Sequence, residues 1–555
     1  MTDTEKQPIP DIVPGTIQLV DVLGTLNVKK DSDNGSIILQ PQPTNNINDP
    51  LRWSKRKRHF QFFLIWLWCF FFAASSTFYG PLFGIWLTEL NTTYGELTIG
   101  VALIYLFLGS GVTFVQPTAL KLGKRFVYLT CTLFGIIGCT VGSLATTVHY
   151  FYIYQICIGI GAAPVDTLAE LTATDLYFQS QRATAFGMVI LALYAGCLLG
   201  PVACGYISDG LGWRWCFKIQ IIIYVVMFVV YLFILEETSF RRDNEAEDEF
   251  EKEIILKSMG APELSTSDSA KKEDGVEENI EHADVDSTDE SIPKNTYKQR
   301  MKLIHLETND PRPWYRIYYR PFLMIRYPAA IWGGVVYGSL MMWLALIVNS
   351  VSRIYGSKPY NYDINAIGLT NLGSFGGSVF GILYGGFFVD WSSIKLARRN
   401  HGVLEPEYRL YSMIVPTIVN AAGLLAYGLG SYYKRHWAIS VIIGQGFLGF
   451  TMGSTGSICL TYAVDCYHKM ASESIVFMLV IRNMIGMIFC FVFVPWLDSC
   501  GLKVTTWIMF GLSLLINGGA FVLIKWGKDF RRATADRYAR QSDPEYRVFK
   551  KKSAD

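Results

Sequence analysis

Charge is scarce in this 555-residue chain: Asp, Glu, Lys and Arg together make up 17% of it, against roughly 25% in soluble globular chains. What charge there is nearly cancels, with 49 Lys and Arg against 47 Asp and Glu, so no basic excess is offered to a nucleic acid. No Cys-x-x-Cys pair and no cysteine–histidine grouping has the spacing of a metal site. A nucleophile with convergent partners and a phosphate-binding glycine loop are missing as well. Neither enzymatic function nor a cofactor is therefore expected. Most of the eleven cysteines fall inside apolar stretches, as small packable residues. Only Cys216 and Cys500 stand at outward ends, where a disulfide between them is an option. The first 50 residues lack a short apolar run preceded by positive charge. No signal peptide is expected, and the first apolar stretch has to serve as the targeting signal.

What the chain has in quantity is long apolar runs. Twelve are read, near 60–86, 97–120, 126–147, 149–174, 183–207 and 214–235, then 322–349, 364–389, 411–431, 437–464, 472–496 and 504–525. Each is close to or above the roughly 20 residues that a helix needs to cross a bilayer. The expected fold is an all-α membrane protein of twelve transmembrane helices in two six-helix bundles. Six and six around a polar interruption is the pattern of an alternating-access transporter. The expected divisions are a tail (1–58), a first bundle (59–236), a largely disordered acidic central loop (237–320), a second bundle (321–526) and a second tail (527–555). In the loop, 243–290 is too acidic and too poor in aromatics to offset its ordering entropy. It reads as a linker, with Ser265, Ser267, Ser269 and Ser287 as candidate phosphorylation sites.

Basic residues set the orientation. Arg52, Lys55, Arg56, Lys57 and Arg58 precede span 1; Lys121, Lys124 and Arg125 follow span 2; Lys395, Arg398 and Arg399 follow span 8; Arg531 and Arg532 follow span 12. All belong to one side, and the positive-inside rule makes it the cytosol, with both tails there. Asn91-Thr92-Thr93 is then a glycosylation sequon on the outer face, close to the membrane, whereas Asn34-Gly35-Ser36 lies in the cytosolic tail.

Span 8 carries Gly373, Gly377, Gly381 and Gly385 at helical spacing, a smooth stripe that suits either a sliding surface or static tight packing. Span 5 reads Gly196-x-x-x-Gly200-Pro201-x-x-Cys204-Gly205, where Gly-Pro removes a backbone hydrogen bond and permits a kink. That order resembles the motif of proton-linked antiporters in the major facilitator superfamily, with Cys204 in place of a glycine. The resemblance is carried further by Ile12-Val13-Pro14-Gly15-Thr16, Asn48-Asp49-Pro50-Leu51-Arg52-Trp53-Ser54, Asp175-Leu176-Tyr177-Phe178 with Arg182, and Gly212-Trp213-Arg214-Trp215. Asp390-Trp391 with Ala397-Arg398-Arg399-Asn400, Glu405-Pro406-Glu407-Tyr408-Arg409-Leu410 and Arg482-Asn483 continue it to about residue 530. The chain is most similar to fungal relatives of the drug:proton antiporters, and among them to cation transporters that take up polyamines and admit amines such as histidinol.

Two departures from that pattern matter. After span 2 the glycine and aspartate of the usual latch are replaced by Gln116 and Leu120, leaving Gly123-Lys124-Arg125. The corresponding element of the second half, Gly386 to Asp390 followed by Arg398, is better kept, so the latch is expected to depend mainly on it. In span 4, Gln155 stands where antiporters often carry an arginine, ahead of Gly159-Ile160-Gly161-Ala162-Ala163. A neutral amide cannot tune a carboxylate as a buried cation does.

Ionisable groups within spans are costly and are functional candidates by default. Asp166 and Glu170 are one helical turn apart, and like carboxylates at that separation raise each other's proton affinity. They are candidate proton carriers or amine ligands, or alternatively a gate pairing with Arg125 or Arg182. Arg482 needs an acidic partner, and Asp465 or Glu473 is nearest in sequence. Asp175 and Asp390 read as latch or cap residues. Tyr79, Tyr105, Tyr337 and Trp343 are aromatic cavity candidates for a cation, and Gln155, Asn349 and Asn371 are polar ones. The function expected is proton-coupled transport of small organic cations, polyamines favoured, by a plasma-membrane monomer. Its partners are the substrate, protons and the bilayer. Efflux of drugs by the same fold is the alternative, and a transporter-like nutrient sensor a third reading.

Overall fold

The computed structural model describes residues 15, 17–18, 47–177, 179–240, 295–304, 313–358, 360–400 and 403–542. The acidic stretch 243–290 with its serines and the Asn34 sequon lie outside them, as do the side chains of Arg182 and Arg398. Among the described residues, eleven helices are long and apolar enough to span a bilayer. They are α1 (Lys55–Glu89), α2 (Tyr94–Leu122), α3 (Lys124–Ser143), α4 (Val148–Leu176), α5 (Thr184–Leu211) and α6 (Arg214–Phe233), then α7 (Pro328–Tyr355), α8 (Ile364–Ala397), α9 (Glu407–Tyr432), α10 (Ile439–Cys466) and Ala471–Tyr538. The last has 68 residues, about 100 Å of helix at 1.5 Å per residue. It is two spans. At Gly501 the backbone leaves helical geometry (φ 72°, ψ 162°) and separates α11 (471–500) from α12 (502–538). The described structure is otherwise helix and connection, apart from a two-residue antiparallel ladder in which Ile17 faces Leu404 and Gln18 faces Val403.

Local sequence sets the ends of the spans. Ser54 Oγ accepts from the Lys57 amide at the start of α1. Thr93 and Glu96 form a reciprocal capping box that opens α2 just after the exposed Asn91. One residue, Gly123, links α2 to α3 at φ 103°. A Cβ there would come within 2.7 Å of Glu237 Oε2, so the position requires glycine on both counts.

Within the first half, α1 packs on α5, α2 on α4, and α3 on both α4 and α6. The second half repeats the scheme: α8 packs on α10 and α9 on α10. Gly334 and Gly338 of α7 lie against Ile481 and Ile485 of α11, and Gly428 of α9 against Thr506 of α12. Two matching seams are among the contacts that join the halves. Gly109 of α2 lies against Asn483 of α11, and Gly368 of α8 against Pro201 and Val202 of α5. The seams are themselves equivalent under exchange of the halves.

This placement decides the glycine stripe of α8. A Cβ on Gly377 would overlap the Gly446 carbonyl oxygen of α10, and one on Gly381 that of Phe450. The stripe is therefore a close-packed joint inside one half and faces neither seam. Gly196 and Gly200 act likewise for α5, lying against the backbone of Phe70 and Ala74 in α1, and α5 stays helical through Pro201.

Beyond α6, the described end of the central loop contributes short helices at Tyr297–Arg300 and Trp314–Tyr319. Arg300 there pairs with Glu236 at 3.2 Å. The final helix runs on to Ser542, well past the apolar residues. Arg531 in that extension is buried and holds Glu407 of α9 with two hydrogen bonds of 2.9 and 2.6 Å.

Candidate transport site

Span α4 is built in two segments, Val148–Ala162 and Pro164–Leu176. Pro164 has no amide proton, so the hydrogen-bond ladder is interrupted there. Asp166 falls in the first turn of the second segment, where the positive end of the helix dipole favours a carboxylate. It faces the seam. Arg482 of α11 donates to it through both terminal nitrogens, Nη1 to Oδ1 at 2.9 Å and Nη2 to Oδ2. This forked pair crosses from one half to the other with both side chains buried, Asp166 6% and Arg482 2% exposed. The guanidinium also sits 4.8 Å above the ring of Tyr337.

The pair lines a cavity between the halves. Tyr105 of α2, Ser76 and Thr77 of α1, Tyr194 of α5 and Met341 of α7 complete its wall. Glu170, one turn further along α4, is buried at 4% exposure. Several buried polar atoms in this region have no hydrogen-bond partner: Glu170 Oε2, Tyr194 Oη, Arg482 Nε and Asn483 Nδ2. Such atoms are costly in a protein interior unless something else satisfies them.

The other expected cavity residues fall elsewhere. Tyr79, Gln155, Trp343, Asn349 and Asn371 are buried but form no part of this wall. Tyr79 packs among Phe78, Phe83 and Phe151. Asn371 donates to the Gly368 carbonyl at 3.2 Å and Asn349 to Cys490 Sγ at 3.9 Å. Gln155 is buried beside Tyr79.

The expected partners of Arg482 need correction. Asp465 is held by Arg409 (2.6 Å) and Glu473 by Arg320 (3.1 Å); helix periodicity carries Arg482 away from both and toward α4. Nor does Arg125 reach Asp166. It donates to the carbonyl oxygens of Leu232 (2.6 Å) and Met301.

At the basic end of the bundles each half has its own ion-pair cluster, at the residues expected to form a latch. In the second half, Arg409 Nη1 binds Asp390 and its Nε binds Asp465, each at 2.6 Å. Arg409, which the motif does not single out, thus binds Asp390. In the first half Lys124 Nζ binds Asp175 and the Leu171 carbonyl (3.0 Å). Gln116, at the lost glycine position, donates to Ser472 Oγ across the α2–α11 seam. The Arg409 latch had a readable signal: Ala173-x-Asp175-x-Tyr177 recurs as Ala463-x-Asp465-x-Tyr467 at the matching ends of α4 and α10. The cysteine expectation changes too. Cys216 is buried against Cys204, their sulfurs 3.6 Å apart, while Cys500 is exposed.

The family profile described as Major Facilitator Superfamily matches residues 65–489. The chain belongs to the major facilitator superfamily. Among its relatives, an uncharacterized MFS-type transporter of Schizosaccharomyces pombe is 31% identical over 532 residues, covering 92% of this chain and 90% of that one. Protein HOL1 of Saccharomyces cerevisiae is 27% identical over 569 residues, covering 94% and 96%. In fold this superfamily member resembles the proton:xylose symporter XylE bound to 6-bromo-6-deoxy-D-glucose, with a TM-score of 0.57 at 14% identity over 85% of this chain and 97% of that one. It is a multi-pass membrane transporter, and its relatives and fold are those of transporters rather than enzymes.

Proposed function

We propose that this transporter moves small organic cations, polyamines foremost, in a proton-coupled cycle of alternating access in the plasma membrane, as a monomer with both tails cytosolic. The observation that carries the reading is the charge count at the seam. Two buried carboxylates, Asp166 and Glu170, share one buried guanidinium, Arg482. One negative charge is left over, and an uncompensated charge in a membrane interior is expensive. A proton or one ammonium group cancels it; both together would overshoot. Proton and amine therefore compete, and an incoming ammonium group can take Asp166 while the guanidinium turns one helical step toward Glu170. A substrate with several ammonium groups places one of them here. Tyr105 and Tyr337 offer ring faces beside the pair.

Efflux of cationic drugs uses the same charge count, and the Gly196-x-x-x-Gly200-Pro201 element of α5 favours it. The test is transport of radiolabelled spermidine in cells without their own carriers, at two external pH values, for the wild type and for Glu170→Gln and Asp166→Asn. Apparent affinity is expected to weaken at acidic pH in the wild type and to lose its pH dependence in Glu170→Gln. Unchanged pH dependence in both variants would remove these carboxylates from coupling. Absence of uptake together with faster loss of a preloaded cationic drug would assign the exporter reading.

A further inference from the structure

The two buried thiols at the outer end of α5 and α6 have no place in the transport site, yet they are held together. Cys204 lies two turns before the end of α5, and Cys216 sits in the first turn of α6. Gly212, at φ 88°, turns the chain between them. Their sulfurs are 3.6 Å apart, and Cys216 Sγ is also 3.7 Å from the Cys204 carbonyl oxygen. A disulfide has its sulfurs about 2.05 Å apart, so closure needs an approach of about 1.5 Å, within the reach of side-chain rotation. Both thiols are buried, at 2% and 3% exposure.

The hairpin that carries them is anchored on all sides. Trp213 Nε1 donates to Glu89 of α1 at 2.6 Å, and Arg214 donates to the Ala145 carbonyl at 3.2 Å. Gly205, next to Cys204, lies against Ile364 and Asn365 of α8. The Asn365 amide donates to Asp209 at 2.7 Å. The same turns of α5 thus bear on the other half at the outer seam.

We propose that Cys204 and Cys216 form a disulfide that staples the outer ends of α5 and α6. This rests on the orientation proposed above, which puts the hairpin in the oxidising lumen during biosynthesis. The two S–H bonds break and one S–S bond forms. The oxidant is a protein disulfide of the secretory pathway: its S–S bond breaks, and it takes up the two protons and two electrons to become a dithiol. Once the hairpin packs, burial slows reduction of the bond until heat loosens the hairpin. The staple then holds the outer third of α5 to α6 while that surface works against α8.

The experiment is differential alkylation of the full chain in sealed microsomes, followed by mass spectrometry. An impermeant maleimide is added first, and then, after denaturation without reductant, a permeant one. Cys500, exposed at the same end of the molecule, reports the orientation: it should resist the impermeant reagent until detergent is added. The expected result is that Cys204 and Cys216 remain unalkylated until reduced and appear as one cross-linked species two hydrogens lighter. Full alkylation of both without reductant overturns the proposal; with Cys500 protected, the orientation still stands. Labelling of Cys500 in sealed microsomes overturns the orientation and the disulfide with it. As a second readout, a reductant should shorten the wild type's survival at elevated temperature in detergent and leave Cys204→Ser/Cys216→Ser unaffected. Equal sensitivity of the two proteins would count against the staple.

Discussion

Replacing Arg482 with alanine should damage the protein more than replacing Asp166 with asparagine, and the double replacement should be milder than the first. The reasoning follows from the seam. Arg482→Ala strands two buried carboxylates, Asp166 and Glu170, and breaking one side of a buried pair costs about 3–5 kcal/mol. Asp166→Asn leaves the guanidinium with a second carboxylate one turn away, about 5.4 Å along the axis, so a cost of about 1–2 kcal/mol is expected after it re-pairs. In Asp166→Asn/Arg482→Ala only Glu170 keeps a charge, which one proton can neutralise, and replacing a buried pair by neutral groups is often close to neutral. The measurement is the thermal midpoint of detergent-solubilised protein by size-exclusion survival, with all four proteins in one double-mutant cycle. All three variants should lose spermidine transport, so stability and function separate in the double mutant. A midpoint for Arg482→Ala equal to the wild type would refute the argument. So would a cycle in which the two single losses simply add, because the groups would then not be coupled.

Two further outcomes follow from the packing and the latch. Gly377→Ala should sharply reduce the yield of folded protein, because its Cβ would overlap the Gly446 carbonyl, whereas Gly376→Ala, whose Cβ meets nothing within 4 Å, should match the wild type by fluorescence size-exclusion. Equal yields would mean that α8 and α10 can separate freely. Arg409→Lys keeps the charge but cannot fork between Asp390 and Asp465, so transport velocity should fall while folded yield is retained; Arg409→Ala should lower both, and a fully active Arg409→Lys would argue against a forked latch.

How much of this was legible beforehand depended on the range of the interaction. The spans were readable because bilayer thickness imposes a length on each apolar run, and the pairing of six with six because the polar interruption divides them. The latch carboxylates could be read locally, since Asp175 and Asp390 end helices near basic residues. The motif around Asp390 points to Arg398, whose side chain lies outside the described residues, and gives no sign of Arg409, which arrives from the start of α9. Arg482 was misassigned because its partner is 316 residues away, and sequence proximity favours Asp465 and Glu473. The aromatic candidates fared unevenly because helix periodicity says which residues share a face without saying what that face meets. Tyr105 reached the cavity, and Tyr79 went into a cluster of phenylalanines.

The repeated architecture makes the position of the ion pair informative. Both halves carry an Ala-x-Asp-x-Tyr end and a cation that holds its aspartate, so the latches belong to each half separately. The pair in the membrane interior is different: α4 contributes both carboxylates and α11 the guanidinium. At the place in α10 that corresponds to Asp166, counted back from the shared aspartate, stands Gly456, where an added Cβ would come within 3.2 Å of the Tyr337 ring. The charge is thus divided asymmetrically across a seam that rocking halves must open. Parting them removes Arg482 from Asp166 and leaves two carboxylates to be neutralised at once. Whatever cation then enters, proton or amine, restores the balance and permits closure. In that scheme coupling needs no dedicated relay, because neither half can complete the movement with its charges unbalanced.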